Sequence, residues 1–226
     1  DGSTPSPSPS PSVSPEPTVS PSPSPTATAT ATASPSATPT AISLNVPSLK
    51  QYQEPWKNKT YDHVKATIEQ FGCALTSAAM VLQYHGHNIM PDKLNDWLKN
   101  QSDGYIRNGL INWLAVSRYT KLHDSLSSPT LEYKRLTPTD ENLENELNNR
   151  RPAILKVPGH FVVAKSILPE TFGINDPGYA NRSDLTPYSN SFLALNTYTP
   201  THSDLSYMMF VINPNFNLKL FDSNGN

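Results

Sequence analysis

Residues 67–86 read TIEQFGCALTSAAMVLQYHG, and this stretch decides the fold. Leu75, Ala78, Ala79 and Leu82 recur at helical spacing and Gly86 supplies a stop, so the pattern predicts a helix over about 73–85. The chain's one cysteine, Cys73, opens that helix directly after Gly72. A helix N-terminus carries partial positive charge and unpaired N–H groups, which favour thiolate over thiol. The thiolate is the nucleophilic form. A free cysteine is, however, usually a small buried hydrophobe, so Cys73 by itself assigns no chemistry.

Further along the chain, more helices are expected first and strands later. Pro91 suits a first helical turn and opens a segment through Trp97 and Leu98. Leu110, Ile111, Leu114 and Ala115 predict a helix over 108–118. Thr139 followed by Asp140, Glu141 and Glu144 starts another, with acids at its positive end. Then the pattern changes. AILKV (153–157), HFVVAKSI (160–167) and TFGIN (171–175) are short β-branched runs broken by Pro and Gly. LTPYSNSFLALNTYTP (185–200) and SYMMFVIN (206–213) predict more strand, and FNLKLFD (216–222) is expected to close the sheet. Helices followed by an antiparallel sheet make an α+β fold, and 42–226 is long enough to bury one core.

Before the domain lies a segment of another kind. Residues 1–41 contain only Asp, Gly, Ser, Thr, Pro, Val, Glu and Ala. It has no apolar surface to offset ordering entropy, and its prolines exclude helix and central strand. The expected state is an extended polyproline II spacer, with the composition of an O-glycosylated stalk. This places the protein at the cell surface or outside the cell. The same tail is the expected route to a homo-oligomer or polymer. The sequence begins at Asp1 without a Met or an apolar leader, which reads as a processed product or a piece of a longer chain.

Net charge is −2 and pI near 6.3, which gives no reason to expect nucleic acid or an anionic membrane as partner. No apolar run reaches the roughly 18–20 residues of a membrane span. One cysteine excludes an intramolecular disulfide; in a secreted chain it marks a free thiol with a role. His85 and His87 lack further ligands nearby and read as a surface helix end, so neither metal nor cofactor is expected. NKT (58–60) and NRS (181–183) are glycosylation sequons. Trp97 and Trp113 fit helical core faces.

His160 changes the weight of Cys73. It follows Gly159 and leads a strand, so it can point into a cleft as a general base. Asp176 ends the next short strand in GINDPG, where antiparallel pairing could set it beside His160 to orient the ring. Either residue alone has a bland reading, as a half-buried histidine or as a turn. Their order together with Cys73 is what favours chemistry.

The order resembles the C39-like branch of the papain-like cysteine peptidases. VPSLKQYQEPW (46–56) is similar to the family's opening, 67–86 to its cysteine helix and NIMPDKLNDWL (88–98) to the segment after it. ELNNRRPAILKVPGHFVVAKSI (146–167) resembles the segment that ends in the histidine strand, and FGINDPG (172–178) its Asp-Pro turn. The resemblance implies a papain-like fold, Cys73 as nucleophile, His160 as general base and Asp176 as orienting acid. It also implies Gln51 as the amide that completes an oxyanion hole. Gln70 and Gln53 rival Gln51, although spacing to Pro47 and Trp56 favours Gln51; Asn175 rivals Asp176. Ala74-Leu75 stand where many relatives have a Gly-Pro-like pair, and the KVPG loop before His160 is short, which leaves substrate access open.

Two function classes follow. One is a secreted or cell-surface peptidase or amide hydrolase acting on a peptide or protein substrate. The other is a surface stalk, adhesin or glycosylated filament subunit that uses the same domain without relying on catalysis.

Overall fold

The computed structural model describes residues 42–107, 109–203, 205, 210, 212 and 215–222. The chain divides into two compact units, Asp1–Pro39 and Thr40–Asn226; the described residues belong to the second. The expectations for residues 1–41 and for most of 206–213 lie outside the described residues.

Four helices come first: α1 (Ile68–Phe71), α2 (Cys73–Tyr84), α3 (Pro91–Lys99) and α4 (Trp113–Leu122). Strand β1 (Leu131–Leu136) and helix α5 (Asp140–Asn148) follow. The remaining strands are β2 (Ala153–Val157), β3 (His160–Ile167), β4 (Phe172–Asn175) and β5 (Ala194–Pro200). The sheet has the order β1-β5-β2-β3-β4, and every neighbouring pair is antiparallel. The α+β order expected from the sequence is the order found.

Helix α2 is buried almost all round. Leu75, Ala78, Ala79, Met80, Val81 and Leu82 are fully buried, as a helix lying between other elements requires. It packs on β3 and on α3. The strand that begins with His160 therefore runs under the helix that begins with Cys73. Ala78 and Ala79 have no long side chain to hold the two apart. Gly159, at φ +69°, turns the chain from β2 into β3 with open space where a side chain would be.

Three expectations are corrected. The helix read over 108–118 spans Trp113–Leu122, because the Asn112 side chain caps it by accepting from the Leu114 N–H at 3.1 Å. Leu110, which fitted the helical spacing, is 63% exposed in the preceding loop. Within 185–200 the strand starts only at Ala194, and Thr186–Tyr188 form a 3-10 turn. FNLKLFD (216–222) does not close the sheet: it carries no strand, and Phe216, Leu218, Leu220 and Phe221 are exposed. Both sheet edges are already covered. The outward N–H groups of β1 at Leu131 and Tyr133 donate to the Thr120 and Ser117 hydroxyls of α4. The β4 edge exchanges bonds with Ser183 and Leu185.

Candidate active site

The break between α1 and α2 places the cysteine. Gly72 ends one helix and begins the other, and a Cβ there would stand 2.4 Å from the Ile68 carbonyl oxygen, so only glycine fits. Cys73 is thus the first residue of α2, partly exposed, with no carbonyl of its own helix to receive its N–H. A continuous helix would have offered Glu69 as that acceptor. Instead the Glu69 carbonyl accepts from Gln51 Nε2 at 2.5 Å. Gln51 is buried, and its amide lies at the turn that leads into Cys73.

The two rival glutamines are occupied elsewhere. The Gln70 side chain accepts from the Thr67 N–H at 3.0 Å and caps α1. The Gln53 side chain accepts from the Lys50 N–H at 3.0 Å on the surface. Both rivals use their side-chain oxygens, whereas Gln51 uses its nitrogen and its Oε1 is buried with no hydrogen-bond partner among the described residues.

His160 lies between two groups. Its Nε2 meets Asp176 Oδ1 at 2.8 Å, and Cys73 lies near enough to the ring to favour its charged form. Burial pulls the imidazole's pKa down, but Asp176 and Cys73 outweigh it and raise the value to about 9. Asp176 is fully buried. Burial opposes its ionisation, yet the donors from His160, Tyr188 and the Gly178 N–H hold its carboxyl below the usual carboxylate range. Its Oδ1 also accepts from the N–H groups of Gly178 at 2.8 Å and Tyr179 at 3.1 Å, and its Oδ2 accepts from the Tyr188 hydroxyl. The rival Asn175 donates instead to the Val46 and Pro47 carbonyls at 2.8 and 3.1 Å, tying down the N-terminal segment.

Lys50, Gly178 and Tyr188 were not singled out in the sequence. Lys50 Nζ donates to the carbonyls of Asp176 at 2.6 Å and Tyr179 at 3.3 Å, while the Gln51 N–H donates to the Pro177 carbonyl at 2.9 Å. Residues 50–51 and 176–179 are therefore stitched together. Burial lowers the Lys50 pKa, and the Asp176 charge acts against that. Gly178, which the sequence offered only as a turn residue, packs on the imidazole: a Cβ there would lie 2.9 Å from His160 Cε1 and 3.1 Å from Nε2. Adjacency to Gln51 was the available hint for Lys50; Tyr188 lies beyond an irregular loop and gave none.

At the other end of α2, His87 Nε2 meets the Pro129 carbonyl at 2.7 Å. Among the described residues no group of three or more His, Cys, Asp or Glu is placed to hold a metal ion, and no helix is long and apolar enough to cross a membrane.

A family model described as the Peptidase C39 like family matches residues 43–203. No curated protein matches the chain. Among solved structures, it is similar to a C39-like peptidase from Bacillus anthracis at 16% identity and TM-score 0.43, covering 72% of this chain and 98% of that one. It is also similar to a double-glycine-motif protease from an AMS/PCAT transporter, solved in complex with its leader peptide, at 22% identity and TM-score 0.45, covering 71% of this chain and 98% of that one. A third is the peptidase domain of Streptococcus ComA, a bi-functional ABC transporter, at 14% identity and TM-score 0.41, covering 58% of this chain and 93% of that one.

Proposed function

The chain belongs to the C39-like peptidase family, and on that premise we propose that it is a cysteine peptidase that cleaves a peptide or amide bond through an acyl-thioester on Cys73. The observation that carries this reading is the His160 ring, held between Cys73 and the buried carboxylate of Asp176. The Cys73 thiolate attacks the substrate carbonyl carbon. The developing oxyanion is received by the Gln51 amide and the Cys73 backbone N–H, donors whose loss typically costs about 2.7–4 kcal/mol of transition-state stabilisation. The His160 imidazolium gives its proton to the departing amine as the carbon–nitrogen bond breaks. A water molecule then attacks the thioester, His160 takes its proton, and the acid leaves as the thiolate–imidazolium pair reforms. Asp176 holds the ring in the tautomer and orientation that both steps need.

The substrate class is a peptide or protein segment. The Pro/Ser/Thr/Ala composition of residues 1–41 supports a domain placed outside the cytoplasm with O-glycosylation in that segment. Intact mass of the natural product checks the sugars.

The test of the chemistry is iodoacetamide alkylation of Cys73 at pH 6, against the cysteine of a short unstructured peptide. A cysteine activated by a neighbouring imidazole should react about tenfold faster than the peptide's. A rate equal to the peptide's would defeat the proposal.

A further inference from the structure

We infer that Tyr188, directed by Arg182, is a positioning residue that completes the Asp176–His160 pair by occupying the second carboxylate oxygen. The inference rests on the reading of the site given above. Asp176 Oδ1 already takes three donors, from His160 Nε2, the Gly178 N–H and the Tyr179 N–H. Its Oδ2 has the Tyr188 hydroxyl, and the carboxylate is fully buried. Without that hydroxyl one oxygen of a buried anion would stand unpaired.

The direction of the chain of bonds is fixed by chemistry. Arg182 Nη1 donates to the Tyr188 hydroxyl oxygen at 2.9 Å, and a guanidinium has no acceptor to offer. An ionised carboxylate has no proton to give. The single Tyr188 proton must therefore point at Asp176. The Arg182 guanidinium is kept in place by the Tyr179 ring, 3.6 Å from its centroid, and by the Tyr188 ring at 5.0 Å. The Tyr188 ring stacks on the imidazole itself, 6.3 Å between centroids and 27° between planes. Burial and the bond to Asp176 hold the phenol well above its ordinary pKa, so it remains a donor.

This arrangement should set the balance of charge on the imidazole as well as its place. The Tyr188 proton draws off part of the carboxylate's negative charge, leaving less of it for His160. The other charged or titratable groups facing the pair are Cys73 from α2, Lys50 from the N-terminal segment, and Arg182 and Tyr179 from the loop after Asp176.

The experiment follows the His160 ring by NMR across pH in the full chain, its signal identified among six histidines by loss in His160→Gln. Tyr188→Phe keeps the stacked ring and removes only the proton, and should raise the His160 midpoint by about half a pH unit or more. Arg182→Met leaves the buried rings in place, frees the Tyr188 proton to turn away, and should give a smaller shift in the same direction. A purely structural role would lower the melting temperature and leave the midpoint where it was. An unmoved or lowered midpoint in folded Tyr188→Phe overturns the inference; if that variant does not fold, the same result in Arg182→Met does so. Alkylation of wild-type Cys73 judges the peptidase reading separately: a fast Cys73 with an unmoved His160 defeats only this inference.

Discussion

The two ends of helix α2 each present histidine, and they treat it in opposite ways. At the N-terminal end His160 has a buried carboxylate on one side and a thiol on the other, and its pKa is raised to about 9. At the C-terminal end His85 is pushed down to about 4, first by burial and then by the charges of His87 and Arg151. His87 beside it is also lowered, chiefly by burial. A helix C-terminus offers a cation roughly 0.3–1 kcal/mol, and at His87 that, the Asp124 charge and the bond to the Pro129 carbonyl do not compensate for lost water. The partner decides the charge of a buried ring. His85 and His87, which the sequence offered as a surface helix end, therefore have the electrostatics of packed residues.

Removing each ring in turn tests this difference most strongly. His160→Ala should lower hydrolysis of a mixed-peptide pool, followed by mass spectrometry, by about 10⁴-fold or more and abolish the fast alkylation of Cys73. His85→Ala should leave both unchanged. Equal losses in the two variants would mean that the ends do not differ as described.

A smaller effect should come from Gly178→Ala, which adds one methyl group against the His160 ring. Hydrolysis should fall about 10²-fold, the scale expected when a reacting group is displaced by about 1 Å. The melting temperature should change little, since the turn keeps its other bonds. An unimpaired variant would show that the ring does not depend on that close approach.

The smallest effect is in stability against pH, and the two ends contribute opposite flanks. His160 has a folded value above the ordinary 6.5, so its contribution is complete below pH 6.5 and is lost as pH rises to about 9. His85 has a folded value below 6.5, so its contribution is complete above pH 6.5 and is lost as pH falls toward about 4. Thermal melting across pH should therefore peak near 6.5. Asp176→Asn should flatten the alkaline flank and His85→Gln the acid one, each by on the order of 1 kcal/mol. An alkaline flank left intact in Asp176→Asn, or an acid flank undiminished in His85→Gln, would reassign that ring.

Much of this was legible in the sequence where a local rule and the tertiary fold agree. Gly72-Cys73 marked a helix start, Thr139 with its acids another, and the β-branched runs gave β2, β3 and β4. Cys73, His160, Asp176 and Gln51 could be proposed as candidates because each sits in a short ordered motif. The rest depends on contacts across the chain. Which glutamine bonds the Glu69 carbonyl at the turn into Cys73, and which of Asp176 and Asn175 meets His160, depends on contacts between distant segments. The β1 stretch LEYKRL carries too many charges to stand out as a strand, while FNLKLFD alternates well and is not one. Alternation marks a chain able to join a sheet, and which segment does so depends on where an edge is free.

That edge has a consequence for crowding. The end strand of a sheet is ordinarily a template on which a second molecule can grow its own strand, the first step toward aggregation. In β1 the hydroxyls of Thr120 and Ser117 already take the outward N–H groups of Leu131 and Tyr133. Two small side chains on a neighbouring helix thus do the work of solubility, and copies held side by side at high density find no ready ladder at those two positions.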